Sequence, residues 1–560
     1  MKKPLPVGVD DFGKLIQNGY YYVDKTLFIK ELLDKKGDVT LFTRPRRFGK
    51  TLNMSMLKYF FEDSGSLEIN KKNKRLFDGL AITNSGESYL KKMGKYPVIS
   101  LSLKSAKQKT YPSAYHKLRR ELAGEFDRHR QLTESLHPEK ALRYRRILSE
   151  TASEDEFSGA LKFLSEVLWE STGEKAIILI DEYDVPLENA YFNGFYEEMA
   201  GFIRSLFEAA LKTNPCLEFG VITGCLRITR ESIFTGLNNL KINSILSGMY
   251  DEYFGFTPEE TQQLLTDYGR LDKFHTVKEW YDGYRFGETE VYNPWSVISF
   301  LDASSENAGV TPSPYWANTS SNDIVKSLVE RADISVKGEL ENLIEGDTIE
   351  KPVHEDITYD NIYDSEDNLW NFLFFTGYLR MVSRKLEAET EYITMALPNA
   401  EVKYIYKNTI RNWFGKKIEK KDLNKLISAL EQGDVQVMAE EISSCLQESI
   451  SFYDYAENYY HGFLTGLLKV QQKYRVISNP ETGFGRPDII LKTASIRGAA
   501  IILELKVVNE YGKMENGCRK ALEQIETQCY AMEPEKEGYQ TILKYGICFY
   551  RKECMVIKGQ

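Results

Sequence analysis

Short, mostly apolar runs alternate with longer amphipathic stretches over the first half of the chain. Val39 to Phe42, Tyr96 to Leu103, Ala176 to Ile180 and Leu217 to Ile222 are four such runs. A run with few polar positions to turn towards water suits a strand covered on both faces of a parallel sheet. Between the runs, Leu52 to Phe61 and residues 111–170 carry apolar residues at helical spacing, with Arg, Lys and Glu interleaved. The alternation predicts an α/β core. Ahead of it, Leu27 to Leu33 has helical spacing, and Asp24 is placed to cap that helix. From Phe256 the pattern changes. Phe256-Thr257-Pro258-Glu259-Glu260 is a helix start, with Pro at the first helical position and acids in the first turn. Residues 251–350 read as a helical lid with aromatic turns at 281–284 and 292–295, and 369–450 as helical after a short strand near Leu379 to Val382. The tail reads as a helix from about Ile450 to Val470, strands at Tyr474 to Ser478, Ile489 to Leu491 and Ala499 to Leu503, a helix at about 513–532 and a hairpin at 541–558.

The ends of these runs carry chemistry. The first turns through Thr43-Arg44-Pro45-Arg46-Arg47-Phe48-Gly49-Lys50-Thr51 into a helix. A strand that turns through Gly-Lys-Thr into a helix is how a P-loop cradles a triphosphate. Lys50 reaches the phosphates and the Thr51 hydroxyl is a Mg²⁺ ligand. Arg44 stands where the motif has its first glycine, and Arg44, Arg46 and Arg47 are expected to supplement the backbone cradle. The third run ends in Asp181-Glu182, at the strand edge where ligands of open α/β sheets bind. Asp181 would hold Mg²⁺ and Glu182 would polarise the attacking water. The fourth ends in Thr223-Gly224, followed by Arg227 and Arg230. Thr223 suits a γ-phosphate sensor and either arginine suits charge neutralisation. Tyr20, Tyr21 and Tyr22 are placed to pack on adenine.

A second constellation lies in the tail. Asp488 precedes one strand, and Glu504-Leu505-Lys506 follows the next apolar run. Residues i and i+2 of a strand face one side, so Glu504 and Lys506 project together towards Asp488. Two carboxylates that bind a hard cation, with a lysine beside them, suit metal-assisted phosphodiester cleavage. Glu457 and His461 lie one turn apart on the preceding helix, and Gln524 lies on the later one.

Composition sets limits. A chain of 560 residues exceeds one core at about 150 residues per domain. Net charge is −10, which excludes a coat of positive potential but leaves room for a local basic groove. Lys416 to Lys421 is the dense basic cluster. Seven cysteines, with no C-x-x-C spacing, read as thiols of a reducing compartment. There is no secretory h-region and no apolar stretch near the ~20 residues a membrane span needs. The expectation is a cytoplasmic protein without a membrane partner.

On these residues both halves resemble one bacterial and archaeal family. Its N-terminal part is a AAA-ATPase-like P-loop domain, and its C-terminal part is similar to the PD-(D/E)XK nuclease superfamily. The matching stretches are Tyr20 to Thr26, Arg44 to Thr51, Asp181 to Asp184, Thr223-Gly224, Tyr281 to Tyr284, Glu457 with Tyr460 to Phe463, Gly485 to Asp488, Glu504 to Lys506, and Ala521 to Ile525. The resemblance implies an additional-strand P-loop NTPase core with a helical lid, then a helical region and an α/β nuclease-like domain. The expected segments are 1–250, 251–368, 369–450 and 451–560. It implies ATP and Mg²⁺ as cofactors, adds Glu457 to Asp488 and Glu504 as metal ligands, and adds Gln524 to the catalytic set. The function implied is an ATP-binding and ATP-hydrolysing control of a nuclease acting on DNA. The alternatives are a nucleotide-switched regulator with an inactive nuclease-like domain and an ATP-driven homo-oligomer.

Overall fold

The four apolar runs are strands β1 (Val39–Thr43), β2 (Val98–Ser102), β3 (Ala176–Asp181) and β4 (Leu217–Gly224). They are seen in a computed structural model that describes residues 2–227, 233–234, 237–307, 309–316, 325, 334–355, 357, 359, 362, 364–419, 423–448, 457–481 and 484–560; for 306, 334, 337, 411–419, 448, 457 and 458 it describes the backbone alone. With β5 (Leu240–Asn243) the strands form a five-stranded parallel sheet in the order β2-β3-β4-β1-β5. Every residue of β1 and β3 is buried, which is why both read as continuous apolar runs. β4 lies between β1 and β3, the arrangement expected of an additional-strand core. The edge strand β5 is four residues long and only Asn243 is buried, so its pattern is silent.

The described residues fall into two compact units, Met1–Ser321 with Thr348–Tyr404, and Asn322–Asp347 with Ile405–Gln560. In the first unit, the helix Pro258–Asp267 starts at Pro258, as the sequence predicts, and a capping box between Thr257 and Glu260 closes its first turn. The helices Phe274–Tyr281 and Pro294–Glu306 follow. Between them, what reads as aromatic turns is a hairpin, β6 (Tyr284–Phe286) with β7 (Thr289–Val291). Its entry requires Gly283, at φ +92°, because a Cβ there would meet the Pro398 carbonyl oxygen at 2.0 Å. β8 (Ile349–Pro352), β9 (Arg380–Glu387) and β10 (Thr390–Ala396) make an antiparallel sheet, order β8-β10-β9. The sequence reading finds only the start of β9 there. The strand is exposed from Val382 to Glu387, so no buried face marks it. Asp24 does not cap its helix. The helix begins at Leu27 with Thr26 as the flanking residue, and Asp24 accepts from Thr26 N at 2.9 Å and Ala81 N at 2.7 Å.

In the second unit, β11 (Tyr474–Ser478), β12 (Ile489–Thr493), β13 (Ala499–Val507), β14 (Thr541–Tyr550) and β15 (Glu553–Lys558) form a mixed sheet in chain order, with β13 and β14 parallel. Leu426, Leu430, Met438 and Ile442 share one apolar core with Leu503 and Ile547 of that sheet. The helices Asn424–Gln432 and Val435–Glu448 therefore pack on the tail rather than spacing it. Lys552 in the β14–β15 turn is ion-paired to Glu341 of the helix Ile334–Glu345 at 2.8 Å.

Candidate functional site

The first unit carries a cavity of about 340 Å³ at the carboxyl edge of its sheet. Residues 46–53 after β1, Lys104 and Lys107 after β2, and Glu182 after β3 line it. The P-loop turn is made by Gly49 at φ +83°, and the helix Lys50–Phe61 begins at once. No Cβ contact lies within 4 Å of Gly49; its requirement is the positive φ alone. Apolar lining comes from Leu5, Val9, Tyr21, Val23, Leu264 and Ile298, and Tyr22 also lines the cavity while Tyr20 does not.

The acids at the end of β3 are met by hydroxyls from the P-loop helix and from the end of β4. Asp181, buried, accepts from Thr51 Oγ1 at 2.7 Å and from Thr223 Oγ1. Thr223 thus lies behind Asp181, where its hydroxyl also receives Glu182 N at 3.4 Å. Burial pushes the Glu182 carboxyl up, Asp181 adds to this, and Lys50 and Lys104 oppose it. A carboxyl so tuned suits general-base work. Its backbone sits at φ +54°, a strained value of a kind found at functional sites. Lys50 Nζ donates to the carbonyls of Arg44 (2.8 Å) and Pro45 (2.9 Å). A hydroxyl next to a carboxylate, at a positive-φ glycine that starts a helix, fits a Mg²⁺–triphosphate group.

The arginines divide differently from expectation. Arg44 is fully buried, donates to Thr43 O and Asn243 O, and stacks on Phe254 and Phe286. Its guanidinium, pushed down to about 9 by burial, lies inside the fold and does not supplement the cradle. Arg46 lines the cavity but pairs with the buried Glu188. Arg47 lies over the Trp295 ring at 4.4 Å. Arg227 pairs with Glu355 at 3.1 Å and is not part of the cavity lining; Arg230 lies outside the described residues. Asp184 fixes the turn after β4, accepting from Cys225 N at 2.7 Å and Leu226 N at 3.2 Å. Gly224 is needed there because a Cβ would strike Tyr183 at 2.4 Å. Lys104 and Lys107 belong to no sequence motif, yet both line the cavity. Their signal was their place two and five residues beyond β2, the strand paired with β3.

In the second unit, Glu504 and Lys506 lie within β13, and Asp488 immediately precedes β12. Lys506 Nζ is 3.2 Å from Glu504 Oε1. Asp488 Oδ2 accepts from Leu505 N at 2.8 Å, and Asp488 N donates to Glu504 Oε2 at 3.3 Å. The sheet therefore brings the three together as predicted. Glu504 is buried, and burial, then the Asp488 charge, push its carboxyl up to about 7 against Lys506. Two carboxylates against one ammonium leave a deficit of positive charge, which fits a divalent cation. Gln524 Nε2 donates to Tyr530 OH at 3.2 Å, and Tyr530 OH to the Arg486 carbonyl at 3.2 Å. Gln524 acts on the Asp488 loop from one residue away. His461 Nε2 donates to the Asp488 carbonyl at 2.9 Å. The side chains of Glu457 and of Lys416 and Lys417 lie outside those described, as do Lys420 and Lys421. Among the described residues no three His, Cys, Asp or Glu side chains form a metal-binding group.

Comparison with known families decides what these folds are. Residues 6–234 match the family described as predicted AAA-ATPase, and residues 455–559 match the PD-(D/E)XK nuclease superfamily. The chain joins a AAA-ATPase-like domain to a PD-(D/E)XK nuclease superfamily domain. It is also similar to an uncharacterized protein in the vnfD 5' region of Azotobacter chroococcum mcd 1, 26% identical over 321 residues, which is 57% of this chain and 54% of that relative. The chain thus spans about half the length of the curated relative it matches. The P-loop, Asp181 and Thr223 fall within the first matched segment, and Asp488, Glu504 and Lys506 within the second. No helix among the described residues is long and apolar enough to cross a membrane.

Proposed function

We propose that the AAA-ATPase-like domain binds and hydrolyses ATP with Mg²⁺, and that it controls a metal-dependent nuclease acting on DNA. The observation that carries the reading is the pair of hydroxyls, Thr51 and Thr223, closed on Asp181 beside Glu182. That cluster links the P-loop, β3 and β4 at the point where a terminal phosphate would lie. Thr51 and Asp181 would hold Mg²⁺, Lys50 the phosphates, and Glu182 would take the proton of the attacking water as ADP leaves. In the nuclease domain Asp488 and Glu504 would hold the cation, with Glu457 as a further ligand. The cation supplies Lewis acidity and charge neutralisation. Lys506 would orient water or balance phosphate charge, and Gln524 and His461 would hold the Asp488 loop.

ATPase and nuclease assays on wild type, Lys50→Ala and Asp488→Ala test this together. Asp488→Ala is expected to abolish cleavage with turnover of ATP intact, and Lys50→Ala to lower both. A wild-type protein that cuts no DNA or RNA form with ATP and Mg²⁺ or Mn²⁺ refutes the nuclease reading. The second reading, a nucleotide-switched regulator with an inactive nuclease-like domain, is favoured by one fact. Only two carboxylates converge among the described residues of that domain. Calorimetry that finds no Mg²⁺ or Mn²⁺ site dependent on Glu504 would select it.

A further inference from the structure

Most cations that line the P-loop cavity are already engaged. Lys25 Nζ pairs with Glu260 at 2.6 Å, Arg46 with Glu188, and Lys50 Nζ rests on two loop carbonyls. Arg47 covers the Trp295 ring, and the Lys107 charge acts on Glu188. Lys104 makes no hydrogen bond or ion pair among the described residues, and its charge acts on Glu182 across the cavity. Yet its position is fixed. Ser102 of β2 stands in register with Asp181, and Leu103 N donates to the Asp181 carbonyl at 3.0 Å. The 3₁₀ turn Lys104–Ala106 starts at that point, anchored by the buried Leu103 and Ala106. Asn189 holds the following chain at the Gln108 carbonyl. The ammonium is thus carried into the cavity that holds Lys50, Thr51 and Glu182, on a short anchored turn.

Phosphoryl transfer from ATP is accelerated by positive charge at the γ-phosphate beyond the P-loop lysine and Mg²⁺. Arg227, the described candidate after β4, is committed to Glu355 outside the cavity lining. We propose that Lys104 contacts the γ-phosphate, supplying in cis from the β2 edge the charge that an arginine finger supplies elsewhere. This rests on the nucleotide-binding reading above. It makes β2 a γ-phosphate reader, so that the ATP and ADP states differ at the turn Lys104–Ala106.

Titration calorimetry of the full chain with ATPγS and with ADP, each with Mg²⁺, tests the proposal. A charge-assisted contact to phosphate corresponds to about a 10- to 100-fold change in affinity. Lys104→Ala is expected to lose that factor for ATPγS and to keep ADP affinity within about twofold. Lys104→Arg should recover most of the loss. Equal falls for both nucleotides would show a merely structural role and overturn the proposal, as would no fall for either. A wild type that binds neither nucleotide would overturn the nucleotide-binding reading itself. One that binds both but is unchanged by Lys104→Ala overturns only the assignment of Lys104.

Discussion

Glu504→Gln offers the sharpest reading of the nuclease-like site, because it separates the cost of the buried charge from its use. In the fold the Glu504 carboxyl is pushed from 4.5 to about 7. At 1.36 kcal/mol per pH unit this displacement costs roughly 3 kcal/mol of stability when the group is ionised. Below pH 4.5 the carboxyl is protonated in folded and unfolded chains alike, and there is no penalty. Between 4.5 and about 7 the unfolded chain ionises while the fold holds its proton, so stability falls as pH rises. Above about 7 the whole penalty is present. A glutamine removes the charge and its repulsion from Asp488, and its amide oxygen still accepts from Asp488 N or Lys506. Without metal, the variant should match wild type near pH 4 and exceed it by up to about 3 kcal/mol at pH 8. For a unit of this size that is roughly 6–12 °C in the melting transition. Mg²⁺ or Mn²⁺ should reverse the ranking at pH 8, raising the wild type and leaving the variant almost unmoved. Scanning calorimetry of the full chain at both pH values, with and without cation, reads all four cases. A constant difference between the two proteins across pH would refute the reasoning, since a mere packing change does not titrate.

Asp181→Asn keeps one of the Thr51 and Thr223 hydrogen bonds and reverses the other, its amide N–H donating to that hydroxyl, but it removes the charge and should lower Mg²⁺-dependent nucleotide affinity at least about tenfold, while affinity in EDTA changes little; titration calorimetry in both conditions reads it. Arg44→Met should leave nucleotide affinity within about threefold, because the guanidinium lies inside the fold, and thermal stability should hold or rise since a buried charge is replaced by an apolar chain; a loss of affinity like that of Lys50→Ala would refute the assignment. Gly283→Ala should lower the stability of the first unit by roughly 2–4 kcal/mol through the clash with Pro398 and the positive φ, seen as a lower melting transition with the nuclease-like unit unaffected.

Residues whose roles follow from local chain direction were legible in the sequence. Asp181-Glu182 ends an apolar run, Gly49-Lys50-Thr51 starts a helix, and Glu504 and Lys506 share a strand face, so each could be placed without tertiary information. Arg44 could not. Its direction is decided by Phe254 and Phe286, some 200 residues on, and a loop arginine beside a P-loop reads equally well as a phosphate ligand. Arg227 is drawn off by Glu355 in the same way. Lys104 carries no signal of its own in the sequence, since a lysine after a strand is ordinary, and only the pairing of β2 with β3 gives it meaning. The strand β9 has no buried face beyond Met381 to show a period of two, and β10 marks its buried face only by Ile393, Met395 and Ala396.

The chain passes between its two compact units three times, at 321/322, 347/348 and 404/405. A fragment that begins at residue 405 would lack the helix Ile334–Glu345 and leave Lys552 without Glu341. A single nick at any one of the three passages leaves the units tied by the other two. Proteolysis within one unit therefore would not by itself release the other as a free domain. Any attempt to produce the nuclease-like part alone has to carry residues 322–347 with it, spliced or co-expressed, if that part is to keep its own buried contacts.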